Sequence, residues 1–168
     1  VIHAEISSIK KLVDLLEAQA LVVHTNPLQE ALQPEGTPQF KGSLIALEKL
    51  CRELGCPVVL KETGCGMSEA TLKRVAQIGL AAVDVSGLGG THWGRIEGAR
   101  AESGSLSSLA AETFAQWGIS TVESVRQAQS ALSDVSSPTE IWGSGGVRSG
   151  LDAAKLIALG ASQVGYAQ

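Results

Sequence analysis

Aromatic residues are scarce: two Phe, one Tyr and three Trp make up 4% of 168 residues. With 44% of the chain hydrophobic, the core must be assembled from Ala, Leu, Val and Ile. Basic charge is short as well. Thirteen Lys and Arg against seventeen Asp and Glu leave a net charge of −4, which argues against a general nucleic-acid or membrane-surface role. No apolar run approaches the ~18 residues of a membrane span, and no signal-peptide pattern opens the chain. Cys51, Cys56 and Cys65 are odd in number and lack paired metal spacing, so reduced thiols in a cytoplasmic protein are expected. Glycine is the exception to this economy. Nineteen glycines cluster after apolar runs, where a loop approaches a ligand closely.

Short apolar runs alternate with helical patterns. Ser7 or Ser8 is expected to cap a helix that carries Ile9, Leu12, Val13 and Leu16 on one face. A strand over residues 20–24 follows. Ser43 opens a helix through Leu54, closed by Gly55, and Pro57–Leu60 forms the next strand. A helix from Ser68 through Ile78, a strand over Ala81–Val85, a long loop with one or two helices, and a strand at Ile141–Gly143 come next. Ser120 and Glu123 form a capping box for the helix before that strand. A helix over Leu151–Leu159 and a strand over Gln163–Tyr166 close the pattern, and Val1–Ala4 reads as the tail of an earlier strand.

Such alternation specifies an α/β fold with a parallel sheet and right-handed crossovers. Each apolar run ends in a polar or glycine-rich step: His24, Lys61-Glu62, Ser86-Gly87, Ser144-Gly145-Gly146. A (β/α)8 TIM barrel assembles its site from all strand carboxyl ends, whereas a doubly wound sheet uses one switch point, so the barrel is favoured. Only five or six strands are visible. Residues 1–168 are therefore expected to be the carboxyl-terminal part of a single barrel domain, about strands 3 to 8.

The chemistry collects at the strand ends. His24-Thr25-Asn26-Pro27-Leu28-Gln29-Glu30 places an imidazole, two amides and a carboxylate after an apolar strand, suited to a polar ligand or metal. Glu30 can take magnesium, a hard cation, and Gln29 can orient a substrate; the plain alternative is the start of a surface helical turn. Lys61 points into the barrel mouth, where an anion or carboxylate must offset its desolvation. A structural ion pair with Glu30 is its alternative; Glu62, its neighbour on the strand, faces the other way. The segment Asp84–Trp93 opens a loop of about twenty residues whose glycines and hydroxyls can meet a planar cofactor or phosphate. Arg95 and Glu97 follow, and spacing alone favours a solvated carboxylate for Glu97. Cys65 has no activating histidine tied to it by local sequence, so a packed or semi-exposed thiol is expected. Ser144–Gly150 joins strand to helix with N–H groups free to face an anion and Arg148 to assist, unless it is merely a tight turn.

Together these motifs closely resemble type 2 isopentenyl-diphosphate isomerases, which use flavin mononucleotide on a barrel. The resemblance covers nearly the whole chain and rests on HTNPLQEALQPEG, VVLKETGCGMS, AAVDVSGLGGTHWGRIE and SGGVRSGLDAAKLIALGA. The first is specific to that family, and the last is shared more loosely among flavin barrels. The resemblance implies that Gln29 contacts the substrate and Glu30 binds the Mg2+ that holds its diphosphate. It implies that Lys61, Ser86 and Thr91 meet the flavin ring and ribityl chain, and that Gly145, Gly146, Val147 and Arg148, with Ala167 and Gln168, hold the FMN phosphate. His24 and Asn26 would line the substrate cavity, with Glu97 in the same region. The implied reaction interconverts isopentenyl and dimethylallyl diphosphate with FMN reduced at the expense of NADPH, in a homo-oligomer of four or more subunits. Leu88 and His92 depart from the family pattern, which usually has an arginine and a smaller or amide residue there.

Two other readings compete. A flavin barrel of the 2-hydroxy acid oxidase or dihydroorotate dehydrogenase kind wants a histidine base near the late strands, and no His–Gly–Gly motif follows residue 93. An inactive, partly ordered barrel piece would expose hydrophobic edges and gain little stability as a monomer.

Overall fold

The computed structural model describes residues 4–167. Five strands, β1 (Leu21–Thr25), β2 (Val58–Glu62), β3 (Ala82–Asp84), β4 (Glu140–Gly143) and β5 (Gln163–Val164), form one parallel sheet in the order β1-β2-β3-β4-β5. Strand order follows chain order without reversal, so the sheet has no switch point of the kind a doubly wound fold uses. The sheet is open, with β1 and β5 at its edges. Of the six strands expected, five are found; the segment read as an earlier strand lies in Val1–His3, outside the described residues, and Ala4 is a bend.

Eight helices connect or flank the strands: α1 (Ile6–Leu15), α2 (Pro27–Leu32), α3 (Ser43–Glu53), α4 (Glu69–Val75), α5 (Trp93–Arg100), α6 (Leu106–Thr113), α7 (Thr121–Ser133) and α8 (Gly150–Ala158). Several begin at hydroxyl caps, those at Ser68 and Ser120 being expected and that at Ser149 not. Ser68 accepts from Thr71 N–H, Ser120 from Glu123 N–H and Ser149 from Asp152 N–H, each satisfying one orphan donor of a first turn. The reciprocal arm of the expected capping box is not made: Glu123 turns to Arg126 and Gln127. For α1 the expectation fails. The helix starts at Ile6 after Glu5 and uses no side-chain cap, because Ser7 and Ser8 already lie inside its first turn. The long loop expected after Asp84 is shorter than read, since α5 begins at Trp93, and three helices rather than one or two precede β4.

One face of the sheet carries the core. Val23, Val58, Leu60, Val83, Val85 and Ile141 alternate along their strands and pack with Val13 of α1, Leu47 and Leu50 of α3, Leu72 of α4, Val125 of α7 and Leu156 of α8. The scarcity of aromatics is answered by branched aliphatics and by Ala76, Ala128, Ala131 and Ala161, which let elements approach closely. The residues between them point to the opposite face: Val22, His24, Val59, Lys61, Ala82, Asp84, Trp142 and Gln163, aligned by the strand register. No helix of the described residues is long and apolar enough to cross a membrane.

Candidate functional site at the carboxyl ends of the strands

Register brings the first polar cluster together. His24 pairs with Lys61 across β1–β2, and Lys61 with Asp84 across β2–β3. Lys61 Nζ donates to Asp84 Oδ2 at 2.7 Å and lies 3.4 Å from Ser144 Oγ, while Ser144 Oγ donates to Asp84 Oδ1 at 2.7 Å. The partner of Lys61 is therefore Asp84, and neither Glu30 nor Glu62. An aspartate closing an apolar run was the available signal, but only register shows that it stands beside the lysine. Asp84 Oδ1 also accepts the N–H of Ser86, which is held at φ 36°, in the left-handed region that a β-carbon disfavours. Ser86 in turn offers its carbonyl to Gly64 and Gly66 N–H.

The glycine loops interlock beside this cluster. A Cβ on Gly145 would stand 2.2 Å from the Gly87 carbonyl oxygen, and one on Gly146 2.3 Å from Gly89, so only glycine permits this approach. Thr121 Oγ1, at the start of α7, donates to the carbonyls of Ser144 and Gly145 and latches the loop, a role the sequence reading did not assign. The N–H groups of Gly145, Gly146 and Val147 donate to no other described residue. Arg148 is exposed, and its N–H is taken by Asp152 Oδ2 at 3.2 Å. On the neighbouring strand Gly165 N–H donates to Gly143 O, and Tyr166 Oη to Ser149 O, which sets Gly165–Ala167 alongside the 144–149 loop. Gln168 lies outside the described residues. Thr91 is exposed at the far end of the 86–91 turn.

A second cluster forms around α2, the helical turn on which Gln29 and Glu30 sit. Asn26 Nδ2 donates to Gln29 Oε1, and Gln29 Nε2 donates to Glu97 Oε1 at 2.9 Å. Glu97 also accepts from Arg100 at 2.8 Å, and Arg100 reaches Glu35 at 3.2 Å. Glu97 keeps only 4% of its surface exposed, which overturns the expectation of a solvated carboxylate. Spacing could not reveal this, because the partner lies 68 residues away on α2. Arg95 does not join the site; its Nε donates to Ala115 O at the surface. Glu30 accepts the N–H of Thr37 at 2.9 Å.

Glu62 and Cys65 occupy the helix side of the sheet. Glu62 Oε2 gathers the N–H groups of Thr63, Cys65 and Gly66, yet burial outweighs them and raises its carboxyl above the usual range. Burial, with the Glu62 charge second, pushes the Cys65 thiol up to about 11, in keeping with the packed or semi-exposed thiol expected. A cavity of about 990 Å3 opens between α3 and α4, lined by Asn26, Glu30, Phe40, Leu47, Glu62 and Arg74 among others. Lys61, Asp84 and the 86–91 and 144–149 loops do not line it, whereas His24, the neighbour of Lys61 across β1–β2, does.

The residues fit the groups implied for them. Three N–H donors that no described residue accepts, in the loop before α8 and in a glycine cradle that admits no side chain, suit a phosphate, and the Lys61 ammonium suits the electron-rich edge of a flavin. Among the described residues no group of three or more His, Cys, Asp or Glu side chains could hold a metal ion. Glu30 alone still fits magnesium, which commonly takes one or two carboxylates and fills its remaining positions with substrate phosphate and water.

Comparison with known proteins matches residues 9–168 to the FMN-dependent dehydrogenase family. The chain belongs to that family. It is 57% identical over 167 residues to an isopentenyl-diphosphate delta-isomerase of Legionella pneumophila strain Corby, covering 99% of this chain and 48% of that protein. The corresponding figures for the protein of the same name from Bdellovibrio bacteriovorus are 54%, 99% and 47%. For the one from Synechococcus they are 46%, 95% and 44%. The chain spans about half the length of the curated relatives it matches.

Proposed function

We propose that the protein carrying this chain interconverts isopentenyl and dimethylallyl diphosphate on a (β/α)8 barrel to which these five strands contribute. The observation that carries this reading is the Asn26–Gln29–Glu97 chain of hydrogen bonds at the end of β1, within a sequence 57% identical to a named isomerase. Glu97 as a carboxylate only accepts, so the Gln29 amide must turn its nitrogen to Glu97 and its oxygen to Asn26. That fixes the amide and leaves one N–H and one oxygen lone pair for substrate. Gln29 thus orients the alkene end. Glu30, one residue on, holds Mg2+ at the diphosphate, and His24 and Asn26 line the space between.

Lys61, Ser86 and Thr91 hold the flavin ring and ribityl chain, and the 145–148 loop with Ala167 and Gln168 holds its phosphate. Bound and reduced by NADPH, FMN would supply the acid–base chemistry that a 1,3-proton shift on an unactivated alkene needs. The protein residues bind, orient and exclude water. A soluble, cytoplasmic homo-oligomer of four or more subunits, with no nucleic-acid or membrane partner, accords with the acidic charge balance. A 2-hydroxy acid oxidase is less well supported, because no histidine follows residue 92 and the late strands carry no imidazole base.

The whole protein, assayed with isopentenyl diphosphate, NADPH and Mg2+, is expected to isomerise without net NADPH consumption. Stoichiometric oxidation of a substrate would point to the oxidase, and absence of flavin to an inactive piece. Gln29→Ala is expected to cut turnover by at least about 100-fold while flavin stays bound; unchanged turnover would refute its role.

A further inference from the structure

Glu97 meets Gln29 from α5, and the side chain that caps the first turn of α5 is His92. The ring is 5% exposed and serves as the N-cap of α5. Arg95 N–H donates to the His92 carbonyl at 2.9 Å and, as a shared donor, to the ring Nδ1 at 3.2 Å, while Nε2 meets the Trp117 carbonyl at 3.1 Å. An amide N–H can only donate and a carbonyl can only accept. The ring must therefore be neutral, with its proton on Nε2. Trp117 belongs to a segment tied to the strand-end turns, since Ile119 N–H donates to Cys65 O and Leu88 N–H to Ile119 O, both at 2.8 Å. Gly94 sits between the ring and α2: a Cβ there would stand 2.8 Å from Leu28 and 3.0 Å from His92 Cε1.

From these contacts we infer that His92, as a neutral imidazole, is the positioning residue that sets Glu97 against Gln29. One ring joins the first turn of α5 to the frame of the strand ends, five residues before the carboxylate. The inference rests on the Gln29–Glu97 reading given above. The surroundings supply no second proton acceptor for Nδ1. Cys65 Sγ lies 3.9 Å from Nε2, and Glu62 is committed to the N–H groups of its own turn. On α5 itself Arg95 is turned to Ala115, and Arg100 is shared between Glu97 and Glu35. From α2 the residue across Gly94 is Leu28, which does not titrate.

The test uses the whole, flavin-loaded protein with His92→Ala, His92→Asn and Glu97→Gln. His92→Ala is expected to lower kcat roughly tenfold or more, with KM and flavin content within about twofold, because alignment rather than binding is lost. His92→Asn keeps an oxygen at the cap and is expected to restore most of kcat. Nitrogen-15 shifts of the native ring should mark Nδ1 as unprotonated and Nε2 as protonated, and amide exchange over 95–98 should quicken in His92→Ala. Native kcat in His92→Ala, no recovery of kcat in His92→Asn, or a proton on Nδ1 would overturn the inference. If Glu97→Gln leaves turnover intact while exchange over 95–98 still quickens in His92→Ala, the role given to Glu97 fails and the cap stands.

Discussion

On β1, Val23 is buried beneath the helices, whereas Val22 beside it keeps half of its surface exposed. The same division runs across the sheet. Val58, Leu60, Val83 and Ile141 build a dry core with Leu72 and Val125, while Lys61, Asp84 and Ser144 form a polar cluster on the other face or at its rim. The two faces are solved by different physics. Burial on the helix side is apolar and non-directional, roughly 25 cal/mol per Å2, and tolerates many side-chain combinations of similar volume. The other face depends on register, since Lys61 meets Asp84 only because their strands align without slip.

Breaking the helix side should have the larger effect. Leu72 is fully buried between the sheet and α7. Leu72→Ala is expected to cost about 2–5 kcal/mol, read as a lower denaturation midpoint in urea. A loss below about 1 kcal/mol would mean that the face is loosely packed. On the polar face, Asp84→Ala removes the acceptor of Lys61, Ser144 and Ser86 together. About 1–3 kcal/mol of stability should go, with a larger fractional loss of flavin from the whole protein. Equal losses on the two faces, with flavin retained, would erase the distinction between core and site.

That division also decides what the sequence discloses. Helix caps at Ser68 and Ser120 and the strands themselves are local, so period and cap chemistry reveal them. The polar strand ends at His24, Lys61 and Ser144 were legible for the same reason. The partners were not. Glu97 finds Gln29 across 68 residues, Lys61 finds Asp84 across a strand pair, and Thr121 finds Ser144 across a loop. Each pairing is a consequence of tertiary position, to which spacing is blind. Glu97 was read as solvated because α5, with polar residues around its circumference, has no apolar stripe to announce which side is buried.

Glu62 sharpens the comparison by the smallest margin, because it is a carboxylate on the apolar side. Burial raises its folded-state pKa above the ordinary value of 4.5, even with three N–H groups on one oxygen. A carboxyl group raised in this way favours the folded state when protonated. Its contribution is fully present below the unfolded pKa and is lost as pH rises through the raised folded value. Glu62→Gln keeps an oxygen to receive the same N–H groups but cannot ionise. Relative to Glu62→Gln, the native protein should therefore lose stability, by about 1 kcal/mol or less, between pH 4 and neutrality. Urea midpoints of both proteins at several pH values check this. A native protein that instead gains on Glu62→Gln as pH rises would show that the three N–H bonds outweigh burial, and that the turn after β2 behaves like the polar face rather than the core.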